Sequence, residues 1–233
     1  MRPGRFLAVL VLLGALTACS PPAVDAPSPS PTASPTPTLP APSTLTTGSV
    51  SLTIQPLDPA GVATQTPVDD GSVRVTAGEA LLTAPAGATF RALDDGSAVV
   101  EDAAGLFLAG LTADAPGARL VQQDPTSVRL TGVLPAGLWI TSVAVQDAAW
   151  GRAEGGRSLA VTPSAWARAG GAAAQDGLWS QLVALAPDAD TPSMRAQLEC
   201  HELGAPDKDT WNLEPWRPDV SALDMIAARC NPA

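Results

Sequence analysis

Val50, Leu52 and Ile54 alternate with Ser51, Thr53 and Gln55. A period of two places one side of an extended chain against a core and the other in water. Val73 and Val75 repeat the pattern around Arg74. Asp94-Asp95-Gly96 then turns into Ser97-Ala98-Val99-Val100, and Ala104-Gly105 turns into Leu106-Phe107-Leu108. Asp-Gly tolerates positive φ and so favours tight turns between strands. Val128 and Leu130, followed by Leu138, Ile140, Val143 and Val145, supply later strands. The pattern predicts a β-rich first half of meander or sandwich type.

The second half has a longer period. Ser158 to Thr162 predicts a strand ended by Pro163. Between Gln175 and Ala186, Leu178, Leu182 and Leu185 recur on one helical face with Trp179 and Val183 beside them, and Pro187 ends the helix. Thr191-Pro192 reads as N-cap and first-turn proline of a helix through Met194, Leu198 and His201, closed by Gly204 and Pro206. A final helix is expected to begin near Asp219, with Val220, Leu223, Ile226 and Ala227 facing inward. The fold class is therefore α+β, a β-rich domain over 48–146 followed by a small α+β domain over 147–233.

The N-terminus carries a different message. Arg2 and Arg5 precede an apolar stretch from Phe6 to Leu16, too short to span a bilayer and suited to the h-region of a signal peptide over 1–18. The stretch leads into Leu16-Thr17-Ala18-Cys19, which resembles the lipobox of bacterial lipoproteins. Cleavage before Cys19 would leave a thiol that carries acyl chains, each buried CH₂ contributing about 0.8 kcal/mol to membrane affinity. Residues 20–47 hold nine prolines among 28 residues, interleaved with Ser, Thr and Ala. Such a composition supplies too little apolar surface for a core and removes backbone donors, so 19–47 is expected to be a lipid-anchored linker. In polyproline II form it would reach about 85 Å.

Charge narrows the partners. The chain has 13 basic and 23 acidic residues, a net charge of −10. Nucleic acid is therefore an unsuitable ligand, since it requires a basic face. With one histidine and three cysteines, multi-histidine zinc sites and four-cysteine clusters are excluded, and no cofactor or metal is expected. Asp69-Asp70-Gly71 and Asp94-Asp95 lack EF-hand spacing and read as turn acids.

Once Cys19 is lipidated, Cys200 and Cys230 remain, and an even pair in an exported chain reads as a disulfide. A catalytic Cys200 beside His201 is the competing reading, but adjacent helical residues point about 100° apart and are poorly placed for proton transfer.

The tail resembles a known family. Cys200-His201, Lys208, Trp211-Asn212-Leu213-Glu214-Pro215-Trp216-Arg217-Pro218-Asp219-Val220 and Cys230-Asn231-Pro232 are similar to the bacterial family catalogued as domain of unknown function 2599. Upstream, the Ser158–Pro163 strand, Trp166 and Arg168 resemble that family's strand and Pro-x-x-Trp-x-Arg element, with Ala167 where glycine is expected. The resemblance covers about residues 140–233. It implies an exported bacterial protein, many members being actinobacterial, and it implies no particular activity.

The candidate functional residues are His201, Lys208, Trp211, Glu214, Trp216 and Arg217. His, Lys, Glu and Arg on a disulfide-fixed loop can supply a general acid or base and an anion clamp, and Trp can stack on sugar rings. The structural alternative for each is equally plain: Glu214 and Arg217, at i and i+3, can form a salt bridge, and a lone His or Trp can be packed in a core. Two functional expectations follow. The first is a lipid-anchored module on the extracytoplasmic face of the cell membrane that binds an envelope protein or glycan. The second is an envelope-acting or toxin-like hydrolase using His201 with Glu214, Lys208 and Arg217, although no Gly-x-Ser-x-Gly elbow is present.

Cys19→Ser is expected to move the protein from the membrane pellet to detergent-free supernatant, because the acyl chains supply the affinity. Cell fractionation with intact-mass analysis checks this. A variant that stays with the membranes, together with a wild type lacking lipid mass, would refute the anchor.

Overall fold

The computed structural model describes residues 38–233 apart from 60 and 62. The expected signal peptide, the lipidation site Cys19 and most of the linker lie outside the described residues. Strands β1 (Ser43–Thr47), β2 (Val50–Pro56), β3 (Thr64–Pro67), β4 (Val73–Ala77), β5 (Ala80–Thr83) and β6 (Ala88–Ala92) open the fold. Strands β7 (Ala98–Asp102), β8 (Phe107–Ala113), β9 (Arg119–Asp124), β10 (Ser127–Thr131) and β11 (Ala136–Thr141) complete two antiparallel sheets. One sheet is ordered β1-β2-β5-β10-β9 and the other β3-β4-β11-β8-β7-β6.

The two sheets share one core, with Leu52, Ile54, Leu82 and Leu130 from the first meeting Val75, Val100, Leu111, Leu138 and Ile140 from the second. This is a sandwich, and it explains the alternation. In β2 the odd face is water, so Ser51 and Thr53 are exposed while Val50, Leu52 and Ile54 are buried. In β7 alternation fails because Ala98, Val99 and Val100 are all fully buried. Ala98 and Val100 enter the sandwich, whereas Val99 enters a second core on the opposite face of the same sheet. A strand covered on both faces reads as a continuous apolar run.

The rest of the chain builds that second core. Strands β12 (Val145–Ala153) and β13 (Gly156–Pro163) form a long hairpin, followed by helices α1 (Ala165–Arg168), α2 (Ala172–Leu185) and α3 (Pro192–Gly204). A short strand β14 (Trp211–Leu213) pairs with β13, and α4 (Ala222–Ala227) closes the fold. Leu159, Val161, Leu178, Leu182, Leu198 and Trp211 pack with Val99 in one cluster. Trp166 crosses between the two parts: its indole lies on the backbone of Gly110 in β8, where a methyl group would overlap the ring, and its Nε1 donates to Thr112 Oγ1 at 3.1 Å.

Several boundaries differ from expectation. Ser43–Thr47, assigned to the linker on composition, forms β1, paired to β2 from Ser43↔Ile54 to Thr47↔Val50. Leu45 is 2% exposed and enters the sandwich core, so a single apolar residue between two threonines suffices when a strand edge supplies backbone partners. Val143 lies between bends at Ser142 and Ala144 rather than in a strand, its N–H donating to Thr141 Oγ1 at 3.1 Å. Leu185 is exposed with Ala184, since the last turn of α2 has left the core. The last helix starts at Ala222, capped by the Ser221 hydroxyl, and it is Met225 that faces inward. Leu223 and Ile226, expected inside, are 79% and 64% exposed. The rotation of α4 is set at its end, where Cys230 is disulfide-bonded and its N–H donates to Met225 O. Ala167, which stands where glycine is expected, is fully buried within α1 without positive φ, so its position calls for no glycine.

Leu45→Ala is expected to destabilise the protein by about 2–5 kcal/mol, as burial of β1 requires. Chemical denaturation of the variant checks this, and unchanged stability would return 43–47 to the linker.

Candidate functional site

The Pro-x-x-Trp-x-Arg element positions the tail. Pro163 ends β13, and the Ser164 hydroxyl caps α1 by accepting from Ala167 N. Trp166 then points to the β sandwich and Arg168 to the loop that follows α3. The Arg168 guanidinium donates to the carbonyls of Pro206 at 2.8 Å and Asp209 at 2.6 Å, and also to that of Lys208. One arginine thus ties down a loop whose carbonyls have no secondary structure to satisfy them. Trp211 fills the space behind this loop, fully buried, with Nε1 donating to Ala205 O at 2.9 Å.

Glu214 and Arg217 are inside the protein, 1% and 5% exposed. Arg217 Nε donates to Glu214 Oε2 at 2.8 Å, Nη1 to Pro232 O at 3.0 Å and Nη2 to Glu154 at 2.5 Å. Ser158 Oγ donates to the second oxygen of Glu214 at 3.2 Å. Gln197 reads the backbone of the same residue, accepting from Glu214 N at 2.9 Å and donating to Glu214 O at 3.0 Å. Ser193 Oγ, which accepts from Gln197, donates to Arg217 O at 3.1 Å. Every polar group of this pair has a protein partner, so the i, i+3 salt bridge anticipated from spacing joins β13, α3 and the C-terminus.

The disulfide Cys200–Cys230, with Cα atoms 5.5 Å apart, holds α3 to the end of α4. Closing 30 residues of chain stabilises the fold by roughly 3.5 kcal/mol on the chain-entropy account. Beside it runs a groove of about 500 Å³ whose walls include Cys200, His201, Leu203, Lys208, Ile226 and Arg229. Leu203 is 76% exposed, so this surface presents apolar side chains to water. Arg229 and Cys230 both adopt positive φ, 53° and 67°, a conformation uncommon outside glycine and held here by the N–H bonds of Arg229 to Ile226 O and of Cys230 to Met225 O.

His201 lies at the base of this groove and is 3% exposed. Its Nε2 is 3.1 Å from Asn212 O; a carbonyl only accepts, so Nε2 carries the proton and Nδ1 is the acceptor. Nδ1 is buried without a hydrogen-bond partner. Burial pushes the imidazole below its ordinary range; the Asn212 carbonyl opposes this, the positive charges of Lys208 and Arg217 add to it, and the negative charge of Glu214 opposes it. The ring is therefore neutral at pH 7.

The six expected residues thus separate. His201 and Lys208 line the groove; Glu214 and Arg217 do not, and Trp211 is core. Trp216, 45% exposed, lies over the Arg217 guanidinium at 4.5 Å and against Gly156 on the hairpin. Arg229, Leu203 and Ile226 join the groove although sequence reasoning did not select them. The signal for the latter two was the excess of apolar residues over what one helical face can bury. A second cleft of about 380 Å³ lies where the sandwich meets α1, walled by Arg74, Asp95, Asp114 and Trp139. Its groups are engaged: Arg74 stacks on Trp139 at 3.6 Å, Asp114 accepts from Gly137 N, and Asp95 accepts from Ala172 N at the start of α2.

Glu202 is a buried acid beside this region, 5% exposed, with Oε1 lacking a partner. Burial raises its pKa to about 7, Glu199 adds to the rise, and a hydrogen bond from Gln175 opposes it.

Residues 145–233 match the model of the family described as Protein of unknown function (DUF2599), the family that the tail resembles. The chain is 52% identical over 66 residues to an uncharacterized protein of Mycobacterium tuberculosis (strain ATCC 25618 / H37Rv), covering 27% of this chain and 45% of that protein. An uncharacterized protein of Mycobacterium bovis (strain ATCC BAA-935 / AF2122/97) shows the same figures. One of Mycobacterium leprae (strain TN) is 45% identical over 64 residues, covering 26% of this chain and 52% of its own length. The chain spans about half the length of these curated relatives. No solved structure matches.

Because the folded Glu202 has a raised pKa, its contribution to stability is fully present below about pH 4.5 and is lost as pH rises through about 7. Glu202→Gln is expected to raise the melting temperature at pH 8 by several degrees and to flatten the decline between pH 5 and 8. Thermal scans across that range check it; parallel curves for wild type and variant would show that Glu202 does not titrate there.

Proposed function

We propose that this protein is an exported lipoprotein of the bacterial cell envelope, held to the extracytoplasmic face of the membrane through Cys19, whose C-terminal part is a surface binding module. The groove beside Cys200–Cys230 is its binding face. The observation that carries this reading is the contrast between interior and groove. Glu214, Arg217, Gln197 and Ser193 are bound to one another inside the fold, whereas Leu203 and Ile226 stand exposed at a concavity. Its volume of about 500 Å³ is in the range that accommodates a small ligand or an anchoring side chain. Apolar side chains collected at a concave surface mark interaction sites, since water solvates them poorly. The linker would carry this face away from the lipid surface toward ligands in the envelope.

Cys19→Ser protein purified from the supernatant, where the groove contact alone is too weak to hold it to membranes at cellular dilution, is expected to cosediment when added back to an excess of envelopes isolated from its bacterium. Leu203→Asp combined with Ile226→Asp should abolish that retention, and both positions are exposed enough to tolerate the change. Lack of retention by the released protein, or retention indifferent to the two aspartates, would overturn the binding-module reading.

A further inference from the structure

Two positive side chains, Lys208 and Arg229, line the groove. Neither has a carboxylate within ion-pair distance among the described residues, although Arg91, Arg129, Arg157, Arg195 and Arg217 all do. Among the described residues five basic side chains have such a partner and six do not, and of those six only Lys208 and Arg229 line this groove. The base of the groove has no such charge: the disulfide is apolar, His201 is neutral, and Leu203 and Ile226 supply hydrocarbon. An apolar trough with cations among its walls is complementary to a molecule that is apolar along its length and anionic at one end.

We propose that the groove binds a single acyl chain bearing an anionic head, with the chain along Leu203, Ile226 and the Cys200–Cys230 disulfide and the head between Lys208 and Arg229. The proposal rests on the groove being the binding face and names its occupant. Hydrocarbon burial supplies affinity that grows about fourfold with each added CH₂. The two cations supply orientation and preference for an acid over a neutral head. Arg229 can serve because the left-handed backbone at Arg229 and Cys230 places it beside the disulfide, on the wall of the same trough. A free aliphatic anion fits better than a protein segment, since the residues that line the groove come from α3, the loop after it and the end of α4, with no strand edge for a peptide to extend.

The probe is laurate, titrated calorimetrically below its aggregation threshold into the released Cys19→Ser protein. Saturable one-to-one binding is expected, weakened about tenfold or more by Lys208→Gln with Arg229→Gln and abolished by Leu203→Asp with Ile226→Asp. Unchanged melting temperatures establish that these surface variants remain folded. Raising salt should weaken laurate binding, while dodecanol should bind more weakly and without salt dependence. Dodecanol bound as tightly as laurate, or laurate binding untouched by the two glutamines, would overturn the assignment of the cations. Absent laurate binding while groove-dependent envelope retention persists would overturn this occupant alone, in favour of a protein segment. Loss of both laurate binding and retention would overturn the occupant and the binding-module reading together.

Discussion

The carboxylate of Glu214 is nearly sequestered from water, and the order of the whole C-terminal tail depends on how that charge is met. Burying an ion costs several kcal/mol unless a counter-charge and hydrogen bonds replace its hydration. Arg217 supplies the counter-charge, Ser158 a further donor, and Gln197 holds the Glu214 backbone on both sides. The same guanidinium reaches Glu154 on the hairpin and the carbonyl of Pro232 near the C-terminus. A segment with little regular structure is thereby fastened to β13, α3 and the chain end at once. Removing Arg217 would leave Glu214 buried without its counter-charge, at a cost of about 3–5 kcal/mol, whereas Arg217 without Glu214 would keep Glu154.

A second constraint is the two-sided burial of the six-stranded sheet. Its inner face closes the sandwich, and its outer face carries Val99 into the core that α2, β13 and β14 share. Trp166 and Gly110 make that junction close: the absent side chain at Gly110 lets a large aromatic ring rest on the sheet backbone. The tail is thus built onto the sandwich, and the Pro-x-x-Trp-x-Arg element works in both directions, with Trp166 facing the sheet and Arg168 gripping the loop over 206–209.

These two devices account for most of the distinctive residues of the tail, and what they leave over is informative. Leu203, Ile226, Lys208 and Arg229 contribute little to the network or to either core, yet they gather around one groove beside the disulfide. Stability alone does not require exposed aliphatic side chains beside unpaired cations. The groove's chemistry is therefore the part of the tail most open to function.

The sandwich strands were legible from the chain because alternation survives wherever one face meets water, as at Val50, Leu52 and Ile54. The α3 start was legible from Thr191-Pro192, and the disulfide from the cysteine count. Helix α4 was misread because periodicity shows that a helix has an apolar stripe without showing which way the helix is turned. Leu223 and Ile226 look like core until the disulfide and the Cys230–Met225 bond rotate Met225 inward. Strand β1 was hidden because its stability comes from pairing with β2 rather than from its own composition. For the site, sequence brought His201, Lys208, Glu214 and Arg217 together as neighbours in the chain, but chain proximity does not decide burial. Only the tertiary structure sent Glu214 and Arg217 into the interior, left Lys208 at a groove wall, and brought Arg229 beside it. The physical reason is that charge pairing and burial depend on distances across the fold, set by residues as remote in sequence as Ser158 and Pro232.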